Sequence, residues 1–384
     1  MTLQTFQAAT KLIWGGDLTP TLIGIISDQK WARIGVVVDA KIKSLPLVTE
    51  LLSSLGEQND VKVVDSDVSE PDTDFVDQLT AKFSDHQPDV LIGIGGGSVL
   101  DLTKAISVLL TNSGGAAKYQ GFNLVPSPGI PTIAVPTTAG TGSEVTWTAV
   151  FTNRKKMLKG GINSPFLFPR FALLDPRLTL SMPPRVTFAS GMDALSHAVE
   201  SYTARNASIV SRMFSVKGFR LLTEGLTGVF ENPQDLEARR QAQLGSTIAG
   251  WGCFNAGTGA CHSMAYPLGV HFHVPHGEAL SMLLPTVMKI NHEKDPETYA
   301  ALWDDAFPGQ GAQLSRVDKS RHLIEHVEQL IARANLKFCL TDYGATETDL
   351  EEMSRKALDL KSALLNNPVD FERQDARRAL VTIL

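Results

Sequence analysis

The chain has 384 residues, of which 43% are hydrophobic and 20% charged, a composition typical of a soluble globular protein with length for two or three domains. Its formal charge of −6 argues against nucleic acid or an anionic membrane surface as the main partner. The sequence has no signal-peptide start and no run of about eighteen apolar residues, so we expect no membrane span. The three cysteines, Cys253, Cys261 and Cys339, lack metal-knuckle spacing and predict reduced thiols in a cytoplasm.

The first part of the chain alternates buried strands with helices, which predicts a doubly wound α/β domain with a largely parallel sheet. Apolar runs predict strands at 33–39, 61–64, 89–94 and 131–136. Helical spacing of apolar residues predicts helices at 45–55, at 72–83 and after Ser98.

Beyond the breaker Ser181-Met182-Pro183-Pro184 the pattern becomes helical throughout. The predicted helices include 213–226, 235–246, 321–334 and 348–365, and the most loop-like stretch is 304–320. We therefore expect an α/β domain over residues 1–180 and an all-α domain over residues 181–384.

A glycine-rich turn, Gly95-Gly96-Gly97-Ser98, joins a predicted buried strand to a helix. Bare glycines let a phosphate approach the backbone, and the helix start offers free N–H groups. The usual dinucleotide fingerprint is not met, because Ser98 stands where its third glycine belongs. A turn without a phosphate is the alternative. Asp39, at the end of the first predicted strand, could bind ribose hydroxyls and repel a 2′-phosphate, which favours NAD over NADP.

A second loop, Pro136 to Thr146, follows another predicted strand and carries several hydroxyl side chains. It should lie at the same carboxyl edge of the sheet. Hydroxyls and exposed N–H groups there could bind a pyrophosphate or a nicotinamide amide, although many such loops are only turns.

Potential metal ligands concentrate between Gly191 and Glu278. Asp193 and His197 are four residues apart in a predicted helix, so both project from one face, as two ligands of one ion must. Five of the nine histidines lie in this stretch, namely His197, His262, His271, His273 and His276. Imidazole with carboxylate suits iron, zinc, cobalt, nickel or manganese. A local polar pair and loop-capping histidines are the structural alternative.

Together these segments resemble the iron-dependent, or group III, alcohol dehydrogenase family. The motifs that carry the resemblance follow one another in order over nearly the whole chain. They are Gly95-Gly96-Gly97-Ser98 with Asp101 and Lys104, Pro136-Thr137-Thr138 through Glu144-Val145-Thr146, Gly191-Met192-Asp193 through His197, His262, Pro275-His276-Gly277-Glu278, and Asn366-Asn367-Pro368.

The resemblance implies an alcohol dehydrogenase with its active site between an N-terminal dinucleotide-binding domain and a C-terminal helical domain. The implied metal ligands, for Fe²⁺ or Zn²⁺, are Asp193, His197, His262 and His276. Phe254 matches a family position near the nicotinamide and substrate. Including the loop residues above, the candidate NAD-binding set is Asp39, Gly95, Gly96, Gly97, Ser98, Asp101, Thr137, Thr138, Thr141, Ser143 and Lys159.

The chain departs from the family pattern at Tyr266, where many members carry a second histidine often assigned to proton transfer. Tyrosine there looks more like the branch of 4-hydroxybutyrate dehydrogenases, hydroxyacid–oxoacid transhydrogenases and a related sugar-acid oxidase. This favours an acidic ω-hydroxy or aldehyde substrate over ethanol. A phenol with a pKa of about 10 relays protons less readily than imidazole near neutral pH, so we expect Tyr266 to line the pocket.

Other functions share parts of this pattern. An oxidase or transhydrogenase of the same family is one alternative. A lyase related to dehydroquinate synthase would use NAD only transiently, and net NADH production from a simple alcohol would exclude it. A non-catalytic metal-binding protein would not bind NAD. We expect a cytoplasmic homodimer that acts on a small alcohol or aldehyde, anionic ones included, without nucleic acid or membrane partners.

Overall fold

The computed structural model describes residues 4–156 and 158–384. The chain divides into two compact units. One is Ala8–Ser181, and the other joins the N-terminal residues up to Gln7 to Met182–Leu384. The sequence-based boundary assigned the N-terminal residues to the α/β domain instead. Phe6 stacks on Phe214 with ring centroids 4.8 Å apart, and the Gln7 N–H donates to Asn255 Oδ1 at 2.7 Å.

The α/β unit contains nine strands and five helices among its described residues. The strands are β1 Lys11–Trp14, β2 Arg33–Asp39, β3 Asp60–Ser66, β4 Val90–Gly95, β5 Gly121–Phe122, β6 Thr132–Pro136, β7 Thr148–Asn153, β8 Leu158–Asn163 and β9 Phe171–Leu174. The helices are α1 Leu18–Gln29, α2 Pro46–Gly56, α3 Thr73–Phe83, α4 Gly97–Leu109 and α5 Ala116–Tyr119.

Six of these strands form one parallel sheet in the order β1-β9-β6-β4-β2-β3. Along β2, Val36 and Val38 belong to one apolar cluster while Val37 belongs to another. The strand is therefore apolar throughout because both faces of the sheet are covered, as the sequence pattern predicted. The predicted parallel α/β fold is confirmed.

The sequence pattern did not predict two parts of this unit. The strands β1 and β9 are only four residues long, too short for a clear periodicity. The strands β5, β8 and β7 form a separate three-stranded sheet, in which β7 and β8 pair antiparallel.

The strand order also defines where a ligand can bind in this unit. After β2 the chain runs outward to β3 and then returns to the other side of β2 as β4. In open parallel sheets such a reversal leaves a crevice beyond the carboxyl ends of the two strands. Those ends are Asp39 on β2 and Gly95 on β4, which the sequence had selected as cofactor residues.

The second unit is helical over its described residues, which confirms the fold class expected after residue 180. Its helices are α6 Pro184–Thr203, α7 Ile209–Glu231, α8 Leu236–Ala256, α9 Ala260–Phe272, α10 His276–Lys294, α11 Glu297–Ala306, α12 Arg316–Arg333, α13 Leu350–Lys356, α14 Lys361–Asn366 and α15 Arg373–Ile383. Among the described residues, none of these helices is both long and apolar enough to cross a bilayer.

One helix prediction needs correction. The span 348–365 is not one helix but a 3-10 turn followed by α13 and α14. The backbone of Leu360 is not helical, with φ −83° and ψ 68°, and the Lys361 N–H donates to the Asp359 carbonyl. The series of helical hydrogen bonds is therefore interrupted at this point. The loop-like stretch is also shorter than predicted, because α11 ends at Ala306 and α12 begins at Arg316.

Candidate metal centre and nucleotide-binding loops

Three helices bring one carboxylate and three imidazoles together in the helical unit. Helix α6 supplies Asp193 and His197, α9 supplies His262, and α10 supplies His276. The Asp193 Oδ1 atom lies 3.5 Å from Nε2 of His197, 3.6 Å from Nε2 of His262 and 3.7 Å from Nε2 of His276. The ligand atoms of Asp193, His262 and His276 all lie within 4.8 Å of one another. His197, the fourth ligand predicted from the resemblance, lies near Asp193 Oδ1 but is not part of that group.

The group Asp193, His262 and His276 could hold a divalent ion. Ligand atoms about 2.0–2.2 Å from a tetrahedral ion lie about 3.3–3.6 Å apart, close to the distances from Asp193 Oδ1 to the histidine Nε2 atoms. Asp193 Oδ1 and His262 Nε2 are buried and have no hydrogen-bond partner among the described residues, as expected of atoms that bind a metal. Burial disfavours the Asp193 anion, but the three histidines outweigh it and lower the pKa of this carboxyl.

Glu200 fixes the orientation of His262, a role that sequence reasoning missed. Its Oε2 accepts a hydrogen bond from His262 Nδ1 at 2.5 Å, and its Oε1 accepts one from the Cys261 N–H at 2.7 Å. A proton held on Nδ1 leaves the Nε2 lone pair, which faces Asp193, as the atom that could bind a metal. The signal was in the sequence, because Glu200 follows Asp193 by seven residues and so shares its helix face.

The buried pair Asn366 and Asn367 anchors the chain where α9 begins. Asn366 Nδ2 donates to the carbonyls of Ala256 at 2.7 Å and Thr258 at 3.0 Å. Asn367 Oδ1 accepts from the Ala260 N–H at 3.3 Å. The C-terminal asparagine motif therefore holds the first turn of the helix that carries His262.

Helix α10 approaches α6 closely at Gly277, directly after the predicted ligand His276. A Cβ at this position would lie 1.9 Å from the Ala189 carbonyl oxygen, so only glycine allows this contact. The buried Glu278 then accepts hydrogen bonds from Arg185 near the start of α6, one of them from Nη2 at 2.8 Å. Both features bring His276 toward Asp193.

Tyr266 and Phe254 are the two residues assigned from the resemblance to the substrate side. The Tyr266 ring stacks on the His276 imidazole, with centroids 5.4 Å apart and planes inclined by 14°. Phe254 is half-buried near the carboxyl end of α8. The stacking places Tyr266 against a predicted metal ligand, while the roles of both residues in the reaction stay predictions.

In the α/β unit the two predicted loops contact each other. The parallel strands β4 and β6 pair Gly95 with Pro136, which places the segments that follow them side by side. A Cβ on Gly96 would lie 3.2 Å from the Thr138 side chain, and one on Gly97 would lie 2.5 Å from that of Thr141. Residue 97 must therefore lack a side chain for the two loops to pack. Helix α4 begins at this residue, and its N-terminal end offers N–H groups that could bind an anion.

The other candidate cofactor residues are placed as follows. The Asp39 Oδ1 atom accepts from the Lys41 N–H at 2.9 Å. The Ser98 hydroxyl donates to the Ser69 carbonyl, and Lys159 Nζ lies 3.2 Å from Glu70 Oε1. Thr137, which is buried, donates its N–H to the Gly95 carbonyl at 3.0 Å.

Asp101 and Ser143 are bonded to each other, with Ser143 Oγ donating to Asp101 Oδ1 at 2.5 Å. The other Asp101 oxygen accepts from the Val150 N–H at 2.8 Å. Asp101 Oδ1 also lies 3.0 Å from Lys104 Nζ on the same helix. The contacts observed for Asp101 are thus with the hydroxyl-rich loop, its continuation and Lys104.

Two family models match the chain. The iron-containing alcohol dehydrogenase model matches residues 9–176, and the C-terminal model of the Fe-containing alcohol dehydrogenase family matches residues 187–383. The chain is 36% identical to long-chain-alcohol dehydrogenase 1 of Geobacillus thermodenitrificans over 90% of its own length and 88% of that protein. It is 35% identical to the sulfoacetaldehyde reductase of Bilophila wadsworthia over 78% of each chain.

The crystal structure of the sulfoacetaldehyde reductase of Bifidobacterium kashiwanohense in complex with NAD⁺ has a similar fold. It superposes with a TM-score of 0.88 at 26% identity and covers 100% of this chain and 99% of that one. Family models over both halves, relatives above 30% identity and the shared fold agree. The chain belongs to the iron-containing alcohol dehydrogenase family.

Proposed function

We propose that this oxidoreductase is a metal-dependent, NAD-linked alcohol dehydrogenase or aldehyde reductase acting on a small primary alcohol or aldehyde. The observation that carries the proposal is the convergence of three Nε2 atoms on Asp193 Oδ1 at 3.5–3.7 Å. The residues proposed to hold Fe²⁺, with Zn²⁺ as the other candidate ion, are Asp193, His197, His262 and His276.

The bound groups would supply the chemistry that no side chain provides. A divalent ion acts as a Lewis acid toward the substrate oxygen, and a nicotinamide accepts or donates the hydride. The chain's own part is to hold a preformed donor set. Glu200 keeps the Nδ1 proton of His262 in place, and Tyr266 supports His276 by stacking.

The α/β unit is proposed to bind NAD at the crevice between β2 and β4. The Gly96 and Gly97 backbone would approach the pyrophosphate, with the Thr138 and Thr141 side chains beside it. Asp39 would accept hydrogen bonds from the adenosine ribose. Support comes from the strand-order reversal at this point and from the NAD⁺ complex of the related reductase.

The proposed substrate class includes anionic molecules such as ω-hydroxy acids and their semialdehydes. One relative at 35% identity is a sulfoacetaldehyde reductase, which its name places with a small anionic aldehyde. Tyr266 in place of the usual second histidine supports the same class by resemblance. A cytoplasmic homodimer is also proposed, and light scattering of the purified protein tests its oligomeric state.

Metal analysis with matched histidine variants tests the centre. His262→Ala and His276→Ala should lose most of the bound metal. The controls His271→Ala and His292→Ala remove histidines from the same two helices and should retain it. NADH formation by the iron-loaded protein is then screened over short alcohols, diols and ω-hydroxy acids. Full metal occupancy in His262→Ala and His276→Ala would refute the ligand assignment.

Cofactor choice has a separate test. Asp39→Gly removes the charge proposed to repel a 2′-phosphate, so the ratio of kcat/KM for NADP to that for NAD should rise. A tenfold preference of the unchanged protein for NADP, equivalent to about 1.4 kcal/mol, would contradict the placement of Asp39 at the ribose.

A further inference from the structure

The described N-terminal residues 4–7, here called the N-terminal strap, belong to the helical unit, although the α/β unit follows them in the chain. Phe6 stacks on Phe214 of α7, with ring centroids 4.8 Å apart and planes inclined by 23°. The Phe214 ring in turn meets the Trp251 ring of α8 edge-on at 5.7 Å. The N-terminal strap therefore completes an aromatic cluster that joins α7 to α8.

The next residue of the strap is bound at two points by the end of α8. Asn255 Oδ1 accepts from the Gln7 N–H at 2.7 Å, and Asn255 Nδ2 donates to the Gln7 carbonyl at 3.0 Å. Nδ2 also donates to the Trp251 carbonyl, one helical turn earlier, at 2.8 Å. An asparagine side chain has one acceptor oxygen and two N–H donors, and these three bonds use all of them. The Asn255 side chain is thus held by both the strap and its own helix.

This contact lies in the turn of α8 that carries Phe254, which the family resemblance places near the nicotinamide and substrate. Phe254 directly precedes Asn255 and is only half-buried, so close packing alone does not fix its position. The last carbonyls of a helix lack partners within the helix, and terminal turns open easily. Here the turn is held at two points, by the strap at Asn255 and by Asn366 Nδ2, which donates to the Ala256 carbonyl at 2.7 Å.

We infer that Phe6, Gln7 and Asn255 are positioning residues for substrate binding, because they hold the turn of α8 from which Phe254 projects. They act through Phe254 and do not touch the substrate themselves. The inference rests on the proposed dehydrogenase function and on the predicted place of Phe254. Loosening the N-terminal strap should raise the KM for the alcohol. NADH affinity and metal content should not change, since none of the strap contacts described above involves the nucleotide-binding loops or the predicted metal ligands.

Amide hydrogen exchange of the iron-loaded, full-length protein tests whether the strap holds this turn. Phe6→Ala and Asn255→Ala each remove one anchor, so exchange at residues 253–257 should become about three- to tenfold faster. Phe6→Tyr keeps the stacked ring and should exchange like the unchanged protein. The two alanine variants remove different anchors, so the test does not depend on either one alone being folded.

Asn59→Ala is the matched control for the loss of an asparagine. Asn59 likewise donates to the carbonyl four residues earlier, that of Leu55, at 2.9 Å, but it belongs to the α/β unit. Exchange at residues 253–257 should be unchanged in this variant.

Steady-state kinetics with NAD then measure the effect on the substrate, with butanol as a neutral probe and 4-hydroxybutyrate as an anionic one. The KM for the alcohol should rise about three- to tenfold in Phe6→Ala and Asn255→Ala, the size expected for one or two lost contacts. The kcat should change less than about twofold, because these residues make no contact specific to the transition state. Phe6→Tyr and Asn59→Ala should keep the original KM, and all four variants should keep the NADH Kd and the metal content.

A double-mutant cycle shows whether Asn255 acts through Phe254. Phe254→Ala should raise KM by itself, and adding Asn255→Ala should then have little further effect, because the side chain that Asn255 positions is gone. Multiplicative effects on KM, an unchanged KM in Phe254→Ala, or unchanged exchange in the folded Phe6→Ala and Asn255→Ala variants would each overturn the inference. Absence of NADH formation by the unchanged protein with every alcohol screened would instead refute the proposed function, while the exchange data would still report whether the strap holds the turn.

Discussion

At the scale of single residues, two of the proposed metal ligands are each contacted by a side chain that constrains their orientation. His262 is held through Nδ1 by Glu200, and His276 is held through its ring face by Tyr266. A hydrogen bond to Nδ1 fixes the tautomer and the direction of an imidazole, whereas stacking constrains only the orientation of the ring. We expect both contacts to affect the affinity of the proposed metal site.

Glu200→Gln is expected to weaken metal binding about 10–100-fold, the usual effect of losing such a partner. The amide of Gln cannot accept from both His262 Nδ1 and the Cys261 N–H as the carboxylate does. Chelator competition measures the affinity. Glu293→Gln, which only removes a surface partner of Arg378, should leave it unchanged. Equal metal affinity in the two variants would contradict the role of Glu200.

Tyr266→Phe is expected to retain bound metal and most of kcat, because the ring that stacks on His276 is preserved. Tyr266→Ala, which removes the ring, should lower metal occupancy. Steady-state kinetics and metal analysis together separate these effects. A side chain that transfers a proton typically contributes about 10²–10⁴-fold. A fall of about a hundredfold in kcat for Tyr266→Phe, with metal still bound, would therefore show a proton relay.

At the scale of elements, the residues of the proposed metal centre are brought together by the packing of α6, α9 and α10. Two of these helices approach closely because Gly277 has no side chain, and α9 starts where Asn366 and Asn367 hold the preceding loop. Small shifts of any one helix would change distances of 3.5–3.7 Å within the ligand cluster.

Gly277→Ala tests this packing. A Cβ 1.9 Å from the Ala189 carbonyl must push α10 away from α6, so we expect lower metal affinity and a destabilisation of about 1–3 kcal/mol. Denaturant unfolding and metal analysis check the two effects. Gly24→Ala in α1 is the control, because a Cβ there meets no atom within 4 Å and alanine favours a helix. Normal metal affinity in Gly277→Ala would contradict the packing argument.

At the scale of the whole molecule, the proposed metal and dinucleotide sites belong to different compact units. We therefore expect each proposed ligand to stabilise only the unit that binds it. Ligand binding suppresses local opening of the backbone that surrounds it.

Amide hydrogen exchange should separate the two sites. Adding Fe²⁺ or Zn²⁺ should slow exchange in α6, α9 and α10, whereas NADH should slow it in the segments after β4 and β6. His262→Ala should lose the response to metal and keep the response to NADH. Protection of the nucleotide loops by metal alone, with none in the three helices, would contradict the assignment of the sites.

Much of the architecture follows from local sequence patterns, because burial on both faces of a sheet requires continuous apolar runs and burial of one helix face requires a period near 3.6. These patterns predicted β2, β3, β4 and β6 to within about two residues. They failed for the four-residue strands β1 and β9, which are too short to show a period, and they also missed β5, β7 and β8 of the second sheet.

For the sites, the sequence alone determined the candidates, since Asp193 and His197 share a helix face and glycines beside a helix start suit a phosphate. Only the tertiary structure decided that His262 and His276 meet Asp193, that Glu200 orients His262, and that Asp101 binds the loop. Such contacts join residues tens of positions apart. They are set by how helices and strands pack in three dimensions, which no local period records.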